Sequence, residues 1–386
     1  MSSPLFLQSD VTDPYAIYDK QLAEQPIYRD EQAGVWAVYS YDLCRWLLAA
    51  DAGRIPPVAT EGLNEYALAI TGRLARLSND PGHVVARQAA LLLFQSMRPV
   101  GTRDILPGLL PRQQGDVEID WVESVGKQLP VLHLLAGFAI NREEGLFIAG
   151  HMGTLLKLMA PAKTAEQVEA VNALSKDIYM LLERHIRNNA VLMDVIKAIV
   201  AGGGVSAEEA LALCISNLAG LLIQSYDACR GILGNALLHF LHCPGLVPLK
   251  DRGIDYWLQA VREVFRFDPP VHHTRRVAGE DIVAGDAVIK KGEIILLVLA
   301  AANRDAGQFA HPGRYDPARP NNNTHLGFGF GAHMCVAKAF STQLAAEALQ
   351  YLFENYSSVR LLEEAIAYEP LANLRLPRRM VISLSV

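Results

Sequence analysis

Cysteine is scarce in this chain of 386 residues, and its few occurrences are far apart. The number is odd and no CxxC pair occurs, which argues against both a disulfide framework and a structural zinc site. Wide spacing of single cysteines is instead typical of a protein from a reducing compartment. The five cysteines are Cys44, Cys214, Cys229, Cys243 and Cys335.

A basic excess, a signal peptide and a long apolar run are also missing. The net charge is -6 and the pI about 6.0, which argues against nucleic-acid binding. The first ten residues contain no basic region followed by an apolar core. Polar residues interrupt the longest apolar stretch, 210–240, so no uncharged run reaches the ~18–20 residues that span a bilayer. With 51% hydrophobic residues, we expect a globular, cytoplasmic protein without nucleic-acid or membrane partners.

The most informative stretch that is present runs over residues 328–337, Phe-Gly-Phe-Gly-Ala-His-Met-Cys-Val-Ala. Gly329 and Gly331 can adopt positive φ and bring backbone N–H groups towards the Cys335 sulfur. A helix that starts near Val336 would direct its positive dipole end at this cysteine and favour the thiolate. His333 lies two residues away, where it can meet an anionic group of the same ligand. The alternative is an ordinary glycine-rich turn beside a buried free cysteine.

This stretch resembles the haem-ligand loop of the cytochromes P450, Phe-Gly-x-Gly-x-His-x-Cys-x-Gly/Ala. Each fixed position is matched, with Ala337 in the small slot. The resemblance implies haem b as cofactor, bound by the loop residues Phe328 and Gly329. It also implies that Cys335 is the metal ligand, as the axial thiolate of the haem iron.

Three further residues match the family's contacts to the haem propionates, in addition to His333. His83 and Arg87 lie four apart and therefore on one face of a predicted helix, where two cationic donors suit two carboxylates. An ordinary solvated pair is the alternative for these two residues. Arg276 matches the family's arginine after the Pro269-Pro270 segment.

The order of elements also resembles the family over nearly the whole chain. Glu263-x-x-Arg266 matches a buried structural pair that the family places about seventy residues before its cysteine. The resemblance implies one mainly α domain, residues 1–386, with the cytochrome P450 fold and a smaller β portion. Sequence periodicity predicts helices over 129–140, 165–187, 255–266 and 336–355, and a hairpin formed by 27–29 and 35–39.

The central helix departs from the family's Ala-Gly-x-Asp/Glu-Thr pattern. This helix is predicted to begin after Ser206 and to run to about residue 243 or 244. It carries Gln224-Ser225-Tyr-Asp227-Ala228, so the acid is kept and the alcohol that helps relay protons is lost. Either the substrate or a water held by Ser225 or Gln224 supplies the missing hydroxyl, or the chemistry needs less proton delivery. A further alternative is that Ala228 only packs and water does the work.

The resemblance implies a haem-thiolate oxidoreductase that oxidises a small organic molecule, a secondary metabolite or its precursor, by hydroxylation or by oxidative coupling or cyclisation. Electrons would come from a separate ferredoxin and ferredoxin reductase, because the chain shows no flavin or iron–sulfur domain. One alternative is a haem-binding sensor or carrier without turnover. Another is a peroxide-driven peroxygenase, although members of that type carry Arg-Pro in the central helix and here Arg230 precedes Gly231.

Overall fold

The computed structural model describes residues 4–112, 115–160, 162–242 and 252–386. Most of these residues are helical, with a smaller portion in sheets, as predicted. The chain alternates between two compact units, which are described separately below. The first unit comprises Met1–Arg54, Thr102–Leu129 and Asp227–Val386, and the second comprises Ile55–Gly101 and Pro130–Tyr226. That the whole chain acts as one domain stays a prediction.

All strands among the described residues belong to the first unit. They are β1 (Ile27–Asp30), β2 (Val35–Val38), β3 (Gly53–Arg54), β4 (Asp116–Asp120), β5 (Thr274–Ala278), β6 (Ile282–Ala284), β7 (Ala287–Ile289), β8 (Ile294–Leu297), β9 (Ser358–Leu361) and β10 (Val381–Ser385). Five of them form a sheet in the order β1-β2-β8-β5-β3, and three form a second sheet in the order β4-β10-β9. The two remaining strands, β6 and β7, form an antiparallel hairpin.

The hairpin predicted near the N-terminus is confirmed. β1 and β2 pair antiparallel, with Ile27 opposite Val38. Two features of the sequence close the turn between them. The Asp30 carboxylate accepts hydrogen bonds from the backbone of Gln32 and Ala33, and Gly34 takes the left-handed conformation, with φ of 65°.

The first unit also contains helices. They are α1 (Pro14–Glu24), α2 (Tyr41–Ala49), α5 (Thr102–Ile105), α12 (Ile254–Phe267), α13 (Leu299–Ala302) and α14 (Lys338–Asn355). Asp13 caps α1 by accepting a hydrogen bond from the Tyr15 backbone at 2.9 Å. The predicted helix at 255–266 is confirmed with one more residue at each end.

The described part of the second unit contains helices and no strand. They are α3 (Glu65–Thr71), α4 (Gly82–Ser96), α6 (Leu129–Gly137), α7 (Arg142–Gly150), α8 (Met152–Leu155), α9 (Ala165–Arg187) and α10 (Ala190–Gly203), of which α6 begins at the boundary residue. The bounds of α9 agree with the sequence, and a capping box of Thr164 and Gln167 opens it. α6 ends three residues earlier than predicted, because Ala139 adopts the left-handed conformation with φ of 57°.

The longest described helix is α11 (Ala207–His242), and the boundary between the two units falls within it. Ser206 opens this helix by accepting a hydrogen bond from the Glu209 backbone at 3.1 Å. The predicted end at residues 243 and 244 lies outside the described residues. Among the described helices, α11 alone is long and apolar enough to cross a membrane, yet 72% of its most apolar window is buried inside the fold.

The C-terminal half of α11 contributes to the main core of the first unit. Ile232, Leu233 and Leu237 pack in one cluster with Trp257 of α12 and Leu349 of α14. All five side chains are fully buried. The first unit therefore holds the part of α11 that begins at Asp227 in a fixed position by apolar packing.

A buried ion network joins α12 to the segment that precedes the cysteine loop. Glu263 and Arg266 are both fully buried and pair at 2.7 Å, which confirms the predicted Glu-x-x-Arg pair. Arg319 is the third member, with its Nε 3.2 Å from Glu263 Oε1. Arg266 also donates hydrogen bonds to the carbonyl oxygen of Asn303, and the Asp316 backbone donates to Glu263. Three buried charges thus find partners on one another and on the backbone.

Candidate functional site

Cys335 lies in a turn whose backbone is closed by hydrogen bonds. The Cys335 N–H donates to the Phe328 carbonyl oxygen at 2.9 Å, and the Met334 N–H donates to Gly331 at 3.1 Å. Gly329 and Gly331 have φ of 70° and 71°, which confirms the positive φ expected from the sequence. A side chain at either position would strain the turn, so the two glycines fix the path of the chain around the cysteine.

The turn is also held from outside by α12 and α2. The ring of Phe328 packs against Phe265 of α12, with ring centres 4.3 Å apart. The guanidinium carbon of Arg45 on α2 lies 4.4 Å from the centre of the Phe330 ring. A Cβ added to Gly331 would come within 2.8 Å of the Ala49 Cα, so only glycine allows α2 to approach this closely.

Cys335 differs from the other cysteines that the structure describes. Cys44, Cys214 and Cys229 are buried, and burial raises the pKa of each thiol, to about 12 for Cys214. Cys335, in contrast, is exposed. The helix that follows, α14, begins at Lys338, two residues later than predicted. Its N-terminus still lies within one turn of Cys335.

The first unit supplies further groups that suit an iron-bearing, anionic cofactor. Arg276 lies on β5 and is only 4% exposed, with one guanidinium N–H donating to the Arg275 carbonyl oxygen at 2.8 Å. His333 is half-buried at the end of the 3₁₀ turn Gly331–His333. A soft sulfur donor, a buried guanidinium and an imidazole are groups of the kinds that bind iron and carboxylates. The residues present therefore fit the group that the sequence implied.

The other two predicted propionate ligands belong to the second unit. His83 and Arg87 lie on α4 at the expected spacing of four, His83 being buried and Arg87 half-buried. Burial lowers the pKa of His83, an effect that the nearby Asp80 opposes and Arg87 reinforces. His83 and Arg87 thus present an imidazole and a guanidinium on one face of α4.

The predicted acid, Asp227, and Ala228, which replaces the family's alcohol, are neighbours on the part of α11 that belongs to the first unit. Asp227 and Ala228 are both half-buried. The Asp227 carboxylate pairs with Arg230 at 2.9 Å, and the same guanidinium pairs with Glu369 at 3.1 Å. The sequence interpretation missed these two partners. The spacing of three between Asp227 and Arg230 could have revealed one of them, but nothing local identifies Glu369.

Gln224 and Ser225, the proposed substitutes for the missing hydroxyl, lie on the part of α11 that belongs to the second unit. Ser225 is buried, and its hydroxyl donates to the Leu222 carbonyl oxygen at 3.1 Å. Gln224 is half-buried over Gly220, where an added Cβ would lie 3.0 Å from the Gln224 Nε2. The Ser225 hydroxyl is thus directed to its own helix. Their part in proton delivery stays a prediction.

The chain is similar to known proteins over part or all of its length. A family model described as Cytochrome P450 matches residues 252–364. A putative cytochrome P450 140 of Mycobacterium tuberculosis is 35% identical over 144 residues, which are 37% of this chain and 33% of that protein. The biotin biosynthesis cytochrome P450 of Bacillus subtilis is 25% identical over 384 residues, 94% of each chain.

A solved structure shares the fold. It is that of P450BioI in complex with an acyl carrier protein ligated to hexadec-9Z-enoic acid, at 22% identity. The TM-score is 0.81, and the match covers 98% of this chain and 100% of that chain. The match to the mycobacterial relative, in contrast, spans only about a third of that protein's length.

Proposed function

The chain belongs to the cytochrome P450 family, and we propose that it is a haem-thiolate monooxygenase that oxidises a small organic molecule with O₂. The turn that holds Cys335, fixed by two left-handed glycines and closed by backbone hydrogen bonds, is the observation that carries this proposal.

The cofactor in this proposal is haem b, and residues of this chain hold it. Cys335 would supply its thiolate to the haem iron, while Phe328 and Gly329 would shape the loop around it. Arg276, His333, His83 and Arg87 would pair with the propionates, with Arg276 suited to bidentate pairing. When bound, the thiolate-ligated haem iron supplies the activation of O₂.

Protons in this proposal are delivered from α11. Asp227 is the acid, and its ion pair with Arg230 favours the ionised, oriented carboxylate. Ala228 offers no hydroxyl to carry the proton further. The substrate's own polar groups, or water held by Gln224 or Ser225, complete the path. Proton delivery would then depend on which molecule is bound.

The substrate class we propose is an intermediate of biosynthesis, a secondary metabolite or its precursor. One relative is named for biotin biosynthesis, and one protein of the same fold is complexed with an acyl chain on a carrier protein. A carrier-bound substrate is accordingly one form in which the molecule could be presented. Hydroxylation, or coupling or cyclisation, is the reaction, and a cytoplasmic ferredoxin with its reductase is the electron donor.

The spectrum of the reduced protein with CO tests the ligand. Cys335→Ser removes the soft thiolate, so the band characteristic of thiolate-ligated haem should vanish. Cys214→Ala is the matched control, because it removes a buried cysteine from the second unit and should leave the band intact. A normal band in Cys335→Ser would overturn the assignment.

Turnover separates the proposed enzyme from its alternatives. The purified protein is supplied with NADH, a ferredoxin and its reductase, and a panel of small molecules that change the haem spectrum. Oxygen from labelled O₂ in the product supports a monooxygenase, whereas coupling or ring closure consumes O₂ without retaining the label. Product formed only with hydrogen peroxide indicates a peroxygenase. A thiolate haem without product under either condition indicates a sensor or carrier.

A further inference from the structure

We propose that Arg230 is the positioning residue of the proton-delivering acid, and that Glu369 is the counter-carboxylate that lets Asp227 gain and lose a proton. The inference rests on the proposed function, in which Asp227 delivers protons. Arg230 acts through Asp227 and is not itself a proton carrier, since a guanidinium stays protonated in proteins.

The three charges form one connected group within the first unit. Arg230 follows Asp227 by three residues on α11, which places both on one helix face. Arg230 Nη2 lies 2.9 Å from Asp227 Oδ1, and Arg230 Nη1 lies 3.1 Å from Glu369 Oε1. One guanidinium therefore uses its two terminal nitrogens for two carboxylates from distant parts of the chain.

The surroundings fix Arg230 and Glu369 in place. Gly126, in the π-helical turn Val122–Gly126, lies so close that an added Cβ would be 3.5 Å from the Arg230 Cβ. Glu369 is held by its backbone, whose N–H donates to Leu376 at 2.9 Å and whose carbonyl oxygen accepts from Leu371 at 2.8 Å. The backbone positions from which Arg230 and Glu369 reach one another are therefore set by the fold.

The charge balance of the group allows one proton to be taken up. Two carboxylates and one guanidinium carry one excess negative charge. The side chains of Asp227 and Glu369 are 20% and 22% exposed, whereas that of Arg230 is 8% exposed. When Asp227 is protonated, the buried guanidinium still faces Glu369, so no uncompensated charge is left. Without Glu369, protonation of Asp227 would strand Arg230.

Other titratable groups near the three are engaged elsewhere in the first unit. Lys127, next to Gly126, pairs with Glu123. Arg375 lies over the ring of Tyr368, with its guanidinium carbon 3.6 Å from the ring centre. On α11, the neighbouring Cys229 is buried, and burial, reinforced by the charge of Cys335, raises the pKa of its thiol.

Two substitutions with opposite expected effects test the inference. Arg230→Gln removes the cation, so the pH midpoint at which the Asp227 carboxyl protonates should rise by about one unit. In Glu369→Gln, Asp227 is the carboxylate that remains beside Arg230, so the pH midpoint of Asp227 protonation should fall. A residue that only braced α11 against the chain would not move the two midpoints in opposite directions. Lys290→Gln, from an exposed pair with Asp281, is the control and should move neither.

The readout is infrared titration of the resting protein, with Asp227→Asn as the difference reference, and it requires no turnover. NADH oxidation by the substrate-free enzyme, with a surrogate ferredoxin and reductase, should shift its pH profile in parallel with the infrared midpoints. Arg230→Lys should restore part of the wild-type profile, because an ammonium keeps the charge but not the forked geometry.

Midpoints that move in the same direction, or not at all, would overturn the inference. If Arg230→Gln does not fold, Glu369→Gln decides the matter: a midpoint that is unchanged or raised in this variant contradicts the proposal. Failure of the proposed function is distinguishable, because it would abolish haem-dependent NADH oxidation in the wild type and leave the infrared titration measurable.

Discussion

Replacing Glu263 by alanine should remove a large part of the protein's stability. Glu263 is fully buried and accepts hydrogen bonds from Arg266 at 2.7 and 3.0 Å, from Arg319 at 3.2 Å and from the Asp316 backbone at 3.1 Å. Its removal leaves two buried guanidinium groups without their carboxylate, and breaking a buried pair in this way costs about 3–5 kcal/mol. Whole proteins are stable by only about 5–15 kcal/mol.

Urea unfolding of the purified protein, followed by circular dichroism, measures this loss. At a fixed urea concentration, the ratio of unfolded to folded chains should be at least about a hundredfold higher in Glu263→Ala, since every 1.4 kcal/mol changes this equilibrium constant tenfold. Glu263→Gln keeps the side chain's size, so a comparable loss there assigns the effect to the missing charge and not to a cavity.

Asp194→Ala is the matched control for this prediction. Asp194 and Lys197 on α10 have the same spacing of three as Glu263 and Arg266, but their side chains are 71% and 74% exposed. An exposed helix pair contributes only about 0.5 kcal/mol or less. If Glu263→Ala were as stable as Asp194→Ala, burial of the network would not be what makes it strong, and the reasoning would fail.

Three further predictions concern the cofactor, pH and proton delivery. In the double variant Arg87→Ala, Arg276→Ala, haem occupancy, measured as Soret absorbance per protein, should fall below that of either single variant; full occupancy would contradict the propionate assignments. Burial lowers the pKa of His325 to about 3, so the unfolded chain binds one more proton than the folded chain between about pH 6.5 and 3, and the free energy of unfolding falls as the pH falls. His325→Asn should reduce this fall by up to about 1.4 kcal/mol per pH unit; equal slopes of unfolding free energy against pH in the two proteins, measured by urea titration, would refute it. Ala228→Thr should improve product formed per NADH little with the native substrate and more with analogues lacking its polar groups, and a uniform gain would show that Ala228 is a defect.

Local motifs allowed the cysteine turn to be predicted from the sequence. The two glycines before Cys335 were expected to adopt positive φ, and Gly329 and Gly331 do so. The β1–β2 hairpin and the bounds of α9 were likewise predictable, because turn residues, caps and hydrophobic periodicity lie within a few residues of what they determine. The start of α14 differs by two residues, a shift that periodicity cannot resolve.

Partners that are distant in sequence were not predictable in the same way. Arg319 joins Glu263 from 56 residues away, and Glu369 reaches Arg230 across 139 residues. No local pattern identifies such partners, because they are chosen by the packing of whole elements. The sequence also did not reveal the hydrogen-bond partner of the Ser225 hydroxyl, because the same serine in a helix can donate to its own backbone or to a ligand.

The predicted motif residues and their observed distant partners both bear on proton delivery in the proposed function, because Ala228 has no hydroxyl. Ser225 already donates its hydroxyl to Leu222, so it can serve a ligand only by giving up that bond. Gln224 precedes Ala228 by four residues and therefore shares its helix face, where an amide can both donate and accept. The acid beside Ala228 is held by Arg230 and not left to rotate freely. Under the proposed function, we therefore expect selectivity for substrates that bring their own polar group, because an oriented acid without a neighbouring hydroxyl passes its proton to a group or a water placed within hydrogen-bond reach.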